Sequence, residues 1–257
     1  MKLLILLSVV LCLITSCQHI YYAPNTSNAP LFSEKGETRV NGLYSTGGDS
    51  EYDGAEFQFA HAVSKNAAVI ANAFTASKSE MVDEYSSGNS HNETGKGSYF
   101  EFGGGFFGVL DARKKWIAEA YGGIGFGSVT NVYSYKDESK VGITKYFIQP
   151  SIGYKSNYVE FAIVPKLSFV NWKVKRERIR SAENQDNLDE LQAIRSDPGF
   201  VAFEPSFIVR GGGKGVKVQL GLTVSNYEAE NMFYSNELAE SVNFSLGVSI
   251  NIKPKKK

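Results

Sequence analysis

The sequence predicts an all-β protein that folds as a closed antiparallel up-and-down transmembrane β-barrel of about ten strands. Three observations predict this fold. Apolar and polar residues alternate along segments of strand length, no apolar stretch beyond the amino terminus is long enough for a membrane-spanning helix, and short connections alternate with long ones. The 257 residues include 27 basic and 27 acidic ones, so the net charge is zero and nucleic acid is not an expected partner.

The amino-terminal residues read MKLLILLSVVLCLITSC, an apolar run that ends in small residues before Cys17. We interpret residues 1–16 as a signal peptide, since the run is too short to span a membrane. The ending ITSC resembles the lipobox of bacterial lipoproteins, in which the cysteine is acylated and becomes the mature amino terminus. Cys17 is therefore the predicted lipidation site. Residues 17–36 are expected to form a lipidated tether that is extended or lies on the domain.

From residue 37 to residue 252 the alternation defines the barrel, and a basic tail follows at 253–257. The last strand shows the pattern most clearly, because Val242, Phe244 and Leu246 face one side while Asn243 and Ser245 face the other. The ten candidate strands lie near 37–46, 54–64, 66–77, 97–111, 115–130, 141–154, 158–174, 199–210, 215–227 and 241–252.

The connections suggest which end of the barrel faces the cell exterior. Those after the second, fourth, sixth and eighth strands are tight turns, whereas long polar connections occupy 78–96, 175–198 and 228–240. Outer-membrane barrels have short periplasmic turns and longer extracellular loops. We therefore expect both chain termini at the periplasmic end, where a lipid on Cys17 would enter the inner leaflet of the outer membrane.

Ten charged side chains fall on the polar face of the strands, and they are balanced in sign. They are Arg39, Glu56, Glu101, Glu119, Lys145, Glu160, Lys166, Glu204, Arg210 and Lys217. Desolvated charges persist when they are paired, so we expect ion pairs that fill a narrow lumen, although the residues nearest the turns could lie at the rims. Counting up from the turns predicts two structural pairs, Glu160 with Arg210 and Lys166 with Glu204. Phe161, Ile163 and Leu167 are expected to face lipid.

Three prolines fall inside predicted strands, at Pro150, Pro165 and Pro205. Proline has no N–H to donate to a neighbouring strand, and a closed barrel has no free edge. We therefore expect bulges or kinks at these positions.

The sequence offers few residues for catalysis or metal binding. Its three histidines, His19, His61 and His91, lack metal-ligand spacing, so we predict no cofactor, no metal site and no enzymatic activity. A rim site formed by His91 with Asp83 or Glu84 is the alternative that would make the protein an enzyme.

As a whole, the chain resembles small outer-membrane β-barrel proteins of Gram-negative bacteria, in particular lipid-anchored ones with a YYAPN…PLF…KGE tether after the signal. The resemblance implies location in the cell outer membrane and contact with its lipid. The ending SINIKPKKK departs from the aromatic last residue of many such barrels. The expected function is a structural or surface-binding role, in which the long extracellular loops contact an unidentified extracellular ligand. A narrow pore for small solutes and an enzyme with a rim site are the alternatives.

Overall fold

A computed structural model describes residues 19–48, 52–83, 90–181, 184–228 and 238–254. The predicted signal peptide 1–16, the lipidation site Cys17 and Glu84 lie outside these residues. The predicted basic tail is described only at its first two residues, 253–254.

The described residues form a closed antiparallel barrel of ten strands with one helix. The strands are β1 (Thr38–Gly47), β2 (Asp53–Ala62), β3 (Ala67–Asp83), β4 (Ser90–Val109), β5 (Trp116–Val132), β6 (Glu138–Lys155), β7 (Val159–Arg178), β8 (Gly199–Gly212), β9 (Val216–Val224), β10 (Asn226–Glu228) and β11 (Val242–Ile252). The short β10 continues β9 past Ser225 and pairs with β8, so the two together count as one barrel strand. The helix, α1 (Gln185–Ser196), lies between β7 and β8.

Each strand pairs with its neighbour in sequence, and β1 pairs with β11 to close the ring, from Thr38 opposite Ile252 to Gly47 opposite Asn243. The connections after β2, β4, β6 and β8 meet at one end of the barrel, which we call the turn end. Those after β1, β3, β5, β7 and β10 meet at the opposite end, the loop end. The predicted antiparallel barrel is thus confirmed.

The outside of the barrel is apolar and the inside is polar, which is the reverse of a soluble barrel. On β11, for example, Phe244, Leu246 and Val248 are each about half exposed, while Asn243 and Ser245 are buried. In the strand that begins at Val159 the same alternation puts Glu160 and Lys166 inside. All ten charged residues predicted for the polar face are buried, including those nearest the turns.

Residues 19–36, which we call the strap, run through the barrel interior from the loop end to the turn end. The backbone N–H of Tyr21 donates to the carbonyl of Leu238, just before β11 begins at the loop end. The N–H of Gly36 donates to the carbonyl of Ala62, where β2 finishes at the turn end. The expected tether, extended or lying on the domain, is therefore an internal segment. His19 lies at the loop end rather than at the turn end.

Two connections contain more regular structure than their polar composition suggested. The predicted loop at 78–96 is largely an extension of β3 and β4, which remain paired out to Asp83 and Ser90. The predicted loop at 175–198 contains α1, which buries Asn187, Leu191 and Ile194 on one face. Such spacing of three to four residues is the helical period.

The three prolines lie on neighbouring strands, and Pro165 directly faces Pro205 across the β7–β8 ladder. Pairing between β6 and β7 stops after Ile148 and resumes at Ile152 in the same register, with Pro150 in the gap. No register shift accompanies the prolines, so the expected bulges are wrong, whereas the alternative expectation of kinks stays a prediction. A proline removes a ladder hydrogen bond, but its φ is compatible with extended backbone, so the register is kept.

Candidate functional site

The upper part of the strap is held against the strands that surround the loop end. The carbonyl of Tyr22 accepts from the N–H of Glu240 at 2.9 Å, and its phenol donates to Glu204 Oε1 at 2.5 Å. Tyr22 also forms a parallel bridge with Ala239. This portion is therefore bonded through both its backbone and its side chain.

The middle of the strap is bonded to acidic side chains of the barrel wall. Asn25 Nδ2 donates to Glu101 Oε2 at 3.0 Å. Both the N–H and the hydroxyl of Thr26 donate to Glu56, at 3.1 to 3.2 Å. In return, Gln58 Nε2 donates to the Thr26 carbonyl at 2.7 Å. The extended backbone thus gains partners that a β-neighbour would otherwise supply.

The lower part of the strap follows the same pattern, with lumen side chains bonded to its backbone. The contacts are Gln149 Nε2 to the Asn28 carbonyl (2.8 Å), Arg210 Nη2 to the Ala29 carbonyl (2.9 Å), Lys155 Nζ to the Leu31 carbonyl (2.8 Å) and the Phe32 N–H to Glu119 Oε1 (3.0 Å). Residues 24–32 are all buried. The strap therefore occupies the lumen across the middle of the barrel.

Glycines in the wall make room for the strap. A Cβ at Gly153 would lie 2.5 Å from Leu31 Cδ2, and one at Gly221 would lie 2.9 Å from Thr26 Cγ2. Both distances are too short for non-bonded carbon atoms, so any larger residue would displace the strap or the strand.

Near the turn end, one carboxylate faces three cations. The oxygens of Glu160 lie 2.6 Å from Arg39 Nη1, 3.3 Å from Lys217 Nζ and 3.4 Å from Arg210 Nη1. Glu160 and Arg210 are directly opposite in the β7–β8 ladder, as the residue count placed them. Arg39, across the lumen, makes the shortest contact.

A second charged cluster lies deeper in the barrel and is paired differently from the prediction. Lys166 and Glu204 are opposite in register. However, Lys166 Nζ contacts Glu101 at 2.9 Å, and Glu204 contacts Lys145 at 3.0 Å. Lys145 also contacts Glu101, at 3.2 Å. The predicted pair is replaced by a chain of four charges because the lumen is narrow enough for side chains from non-adjacent strands to meet.

At the loop end, His19 joins the strap to two peripheral elements. Its Nε2 lies 3.0 Å from Glu93 Oε2 on β4, and its Nδ1 lies 3.7 Å from Glu190 Oε2 on α1. Its ring also packs edge-on against Tyr133, with the centroids 4.6 Å apart. Burial alone would lower the pKa of His19, but its interactions with Glu190 and Glu93 outweigh burial and raise that pKa to about 9.

Beside the upper strap, a cavity opens to solvent between the strap and strands β3 to β6. We call it the mouth pocket. Its apolar wall consists of Tyr22, Ala76, Phe74, Tyr99, Val129 and Ile143. One polar atom of a lining residue, Tyr52 Oη, is buried without a hydrogen-bond partner. An unpaired buried polar atom is uncommon and costly, and this one belongs to a residue of the pocket wall.

The residues of the proposed rim enzyme are only partly described. The ring of His91 lies 4.9 Å from that of Tyr135, while nothing is described for Glu84 or for the side chain of Asp83. His61, at the turn end, bonds the Thr38 hydroxyl at 2.8 Å. The described residues contain no cluster of acidic, histidine or cysteine side chains that could hold a metal ion, and no described helix is long and apolar enough to cross a membrane.

Sequence reasoning missed the strap contacts, the His19 cluster and the mouth pocket. One signal of an internal segment was the number of neutral polar residues on the inward face, such as Gln58, Asn72 and Gln149. Their amide groups need hydrogen-bond partners that ion pairs between charged residues do not supply. Another was the strap itself, where Pro24 and Pro30 disfavour a helix or a regular strand.

No protein-family model matches the chain, and no curated protein matches it. Among solved structures, the chain has a weak likeness to an OmpF of Salmonella typhi in complex with daunomycin. The likeness has 7% identity and a TM-score of 0.18, and covers 84% of this chain and 96% of that one. Similarity at this level carries no argument about function.

Proposed function

We propose that the protein is an outer-membrane β-barrel, closed by its own strap, that binds a small amphipathic ligand in the mouth pocket. We further propose that it is anchored by lipid on Cys17. The observation that carries the proposal is the occupied lumen. Because the strap occupies the middle of the channel, a ligand cannot lie there, and the mouth pocket is a space that remains open to one.

The surface of the barrel supports a membrane location. Apolar side chains point outward along the strands, and a lipid environment is what stabilises such a surface. Near the turn end, Trp116, Tyr154 and Phe161 pack together with each pair of centroids 5.6 Å apart. Tyr158, in the adjacent turn, is 65% exposed. Aromatic rings of this kind are favoured at membrane–water interfaces.

The lining of the mouth pocket suggests the chemistry of its ligand. Aromatic and aliphatic walls favour an apolar body, preferably one that contains a ring. Tyr52 Oη, which has no hydrogen-bond partner, can donate or accept a hydrogen bond. We therefore propose a ligand of small-molecule size with an apolar ring and a carbonyl or hydroxyl group at one end.

The strap argues against the alternative of a narrow pore. Ions and solutes would need a continuous aqueous path, and residues 24–32 are buried across the middle of the barrel. The rim enzyme stays an alternative, because the structure describes the side chain of His91 but not those of Asp83 and Glu84.

A fluorescent probe can test the binding role. We would titrate 1-N-phenylnaphthylamine, an apolar aromatic amine, into the purified barrel in detergent. Ala76→Trp places a large ring in the mouth pocket. Ala73→Trp is the matched control, because Ala73 lies on the same strand but pairs with the outward-facing Phe57 and Phe100. Detergent contributes equally to the signal of both variants.

Ala76→Trp should weaken saturable probe binding at least tenfold, and Ala73→Trp should change it less than twofold. Tyr52→Phe should leave the barrel folded and weaken binding of a hydroxyl-bearing analogue, 1-naphthol, more than that of naphthalene. Equal binding by wild type and both tryptophan variants would contradict a ligand site in the pocket.

A further inference from the structure

We propose that the strap carries the amino terminus through the barrel, so that the lipid on Cys17 enters the outer leaflet at the loop end and is displayed on the cell surface. This inference rests on the proposed membrane location and lipidation. It replaces the sequence-based expectation of a lipid in the inner leaflet.

The direction of the strap is fixed by contacts at both of its ends. At the turn end it continues directly into β1, after the N–H of Gly36 has bonded to Ala62. At the loop end, the backbones of Tyr21 and Tyr22 are bonded to Leu238 and Glu240. The chain therefore crosses the whole barrel between Gly36 and Tyr21.

Covalent geometry limits how far the lipidated residue can lie from the loop end. Consecutive Cα atoms are about 3.8 Å apart, so Cys17 lies within about 7.6 Å of the Cα of His19. The turn end lies beyond all of the buried residues 24–32. A lipid attached to Cys17 can therefore reach the membrane surface at the loop end only.

His19 holds this end of the strap to the loop-end rim. It is paired with Glu93 on β4 and lies near Glu190 on α1. Tyr21 reinforces the contact, because its phenol donates to Glu190 Oε2 at 3.0 Å and bonds to Tyr133 Oη at 2.8 Å. These contacts join the strap to β4, to α1 and to Tyr133, which follows β5.

The threaded strap also constrains the order of assembly. The lumen around residues 24–32 is packed, so acyl chains on Cys17 could not be drawn through a finished barrel. The ring is closed by the β1–β11 pairing. The barrel must therefore close around a strap that is already in place, with its lipid on the loop side.

A disulfide in the lumen tests the threading without reference to membrane or lipid. Ser27 Oγ and Ser206 Oγ are 2.8 Å apart, so Ser27→Cys with Ser206→Cys should form a disulfide in the assembled protein. The matched control pairs Ser27→Cys with Phe207→Cys, because Phe207 is the next residue on β8 and faces outward. Mass spectrometry of the linked peptides should find the first disulfide and not the second. Absence of the first in folded barrel would overturn the threading.

Epitope tags on intact cells test where the amino terminus is displayed. One tag is inserted between Gln18 and His19, a second near Gln185 at the loop end, and a third at Ser156 at the turn end. The inference expects the first two to bind antibody on intact cells and the third to bind only after the outer membrane is opened.

The pattern of labelling separates the possible failures. If the tag before His19, like the tag at Ser156, binds antibody only after the outer membrane is opened, the inference is overturned. Labelling of Ser156 alone would show that the barrel is inverted, which contradicts both the proposed orientation and the surface display. If labelled palmitate is not recovered on the amino-terminal peptide of wild type, the lipid part of the proposal fails, whereas the lumen disulfide still reports on the threading.

Discussion

Replacing Glu160 by glutamine should be the most destabilising single change in the lumen, since it keeps the shape of the side chain and removes its charge. Three buried cations, Arg39, Arg210 and Lys217, lie within 3.4 Å of this carboxylate. Breaking a buried ion pair costs about 3 to 5 kcal/mol, because the remaining charge stays buried and unpaired. Three cations share this one partner, so we expect a loss near the top of that range.

Urea unfolding in lipid vesicles, followed by tryptophan fluorescence, would measure the loss. With a slope of about 2 kcal/mol per molar urea, a cost of about 4 kcal/mol lowers the unfolding midpoint by about 2 M. Glu177→Gln is the control, because its partner Arg195 is half exposed, and exposed pairs contribute about 0 to 1 kcal/mol. The double variant Glu160→Gln with Lys217→Met should be more stable than Glu160→Gln alone, because it has one unpaired buried cation fewer. Equal midpoints for Glu160→Gln and Glu177→Gln would refute the reasoning.

Three further predictions concern the outer face, the loop end and the anchor. Leu167→Lys should lower the free energy of unfolding by about 2 to 4 kcal/mol. Phe161→Lys, near the aromatic cluster of the turn end, should lower it less, because the penalty for a lysine falls toward the membrane interface. The same urea assay measures both losses, and a larger loss for Phe161→Lys would contradict the prediction. The raised pKa of His19 means that its stabilisation of the strap is complete below about pH 6.5 and is lost as pH rises through about 9. Amide exchange of the upper strap, corrected for the intrinsic rate, should accelerate over that range in wild type and change little in His19→Gln. Cys17→Ser should abolish palmitate labelling while leaving a barrel that still migrates as a folded species on an unheated gel, and retained labelling would exclude Cys17 as the site.

The wall of the barrel could be predicted from the sequence because each strand has one apolar and one polar face. A period of two fixes which side chains point inward, so the burial of residues such as Glu101 and Lys145 follows directly from the alternation. The turn lengths fix the register, and this is why Glu160 and Arg210 could be placed side by side.

The contents of the lumen could not be predicted in the same way. The strap has no periodicity and pairs with no strand, so nothing local distinguishes an internal segment from a tether on the surface. Contacts across the lumen, such as that between Arg39 and Glu160, depend on the diameter of the closed barrel. For the same reason Lys166 bonds to Glu101 on a distant strand rather than to Glu204 beside it.

The loop end was mispredicted because polar composition was taken to indicate irregular loops. Above the apolar band, β3 and β4 remain hydrogen-bonded to each other although both faces are polar, as at Glu80 opposite Glu93. Helix α1 needs only the small apolar stripe formed by Leu191 and Ile194 to pack against the rim. Both features lie where the alternation that defined the strands had ended.

Single-channel recording tests the central claim, that the strap closes the barrel. Purified wild-type protein, reconstituted in a planar bilayer in 1 M KCl, should insert without producing a stable conducting state. Simultaneous replacement of Asn25, Thr26 and Asn28 by glycine, which removes side-chain bonds to Glu101, Glu56 and Asn72, should produce intermittent openings as the strap detaches. A stable, ohmic channel formed by the wild-type protein would contradict a closed lumen and favour the narrow pore.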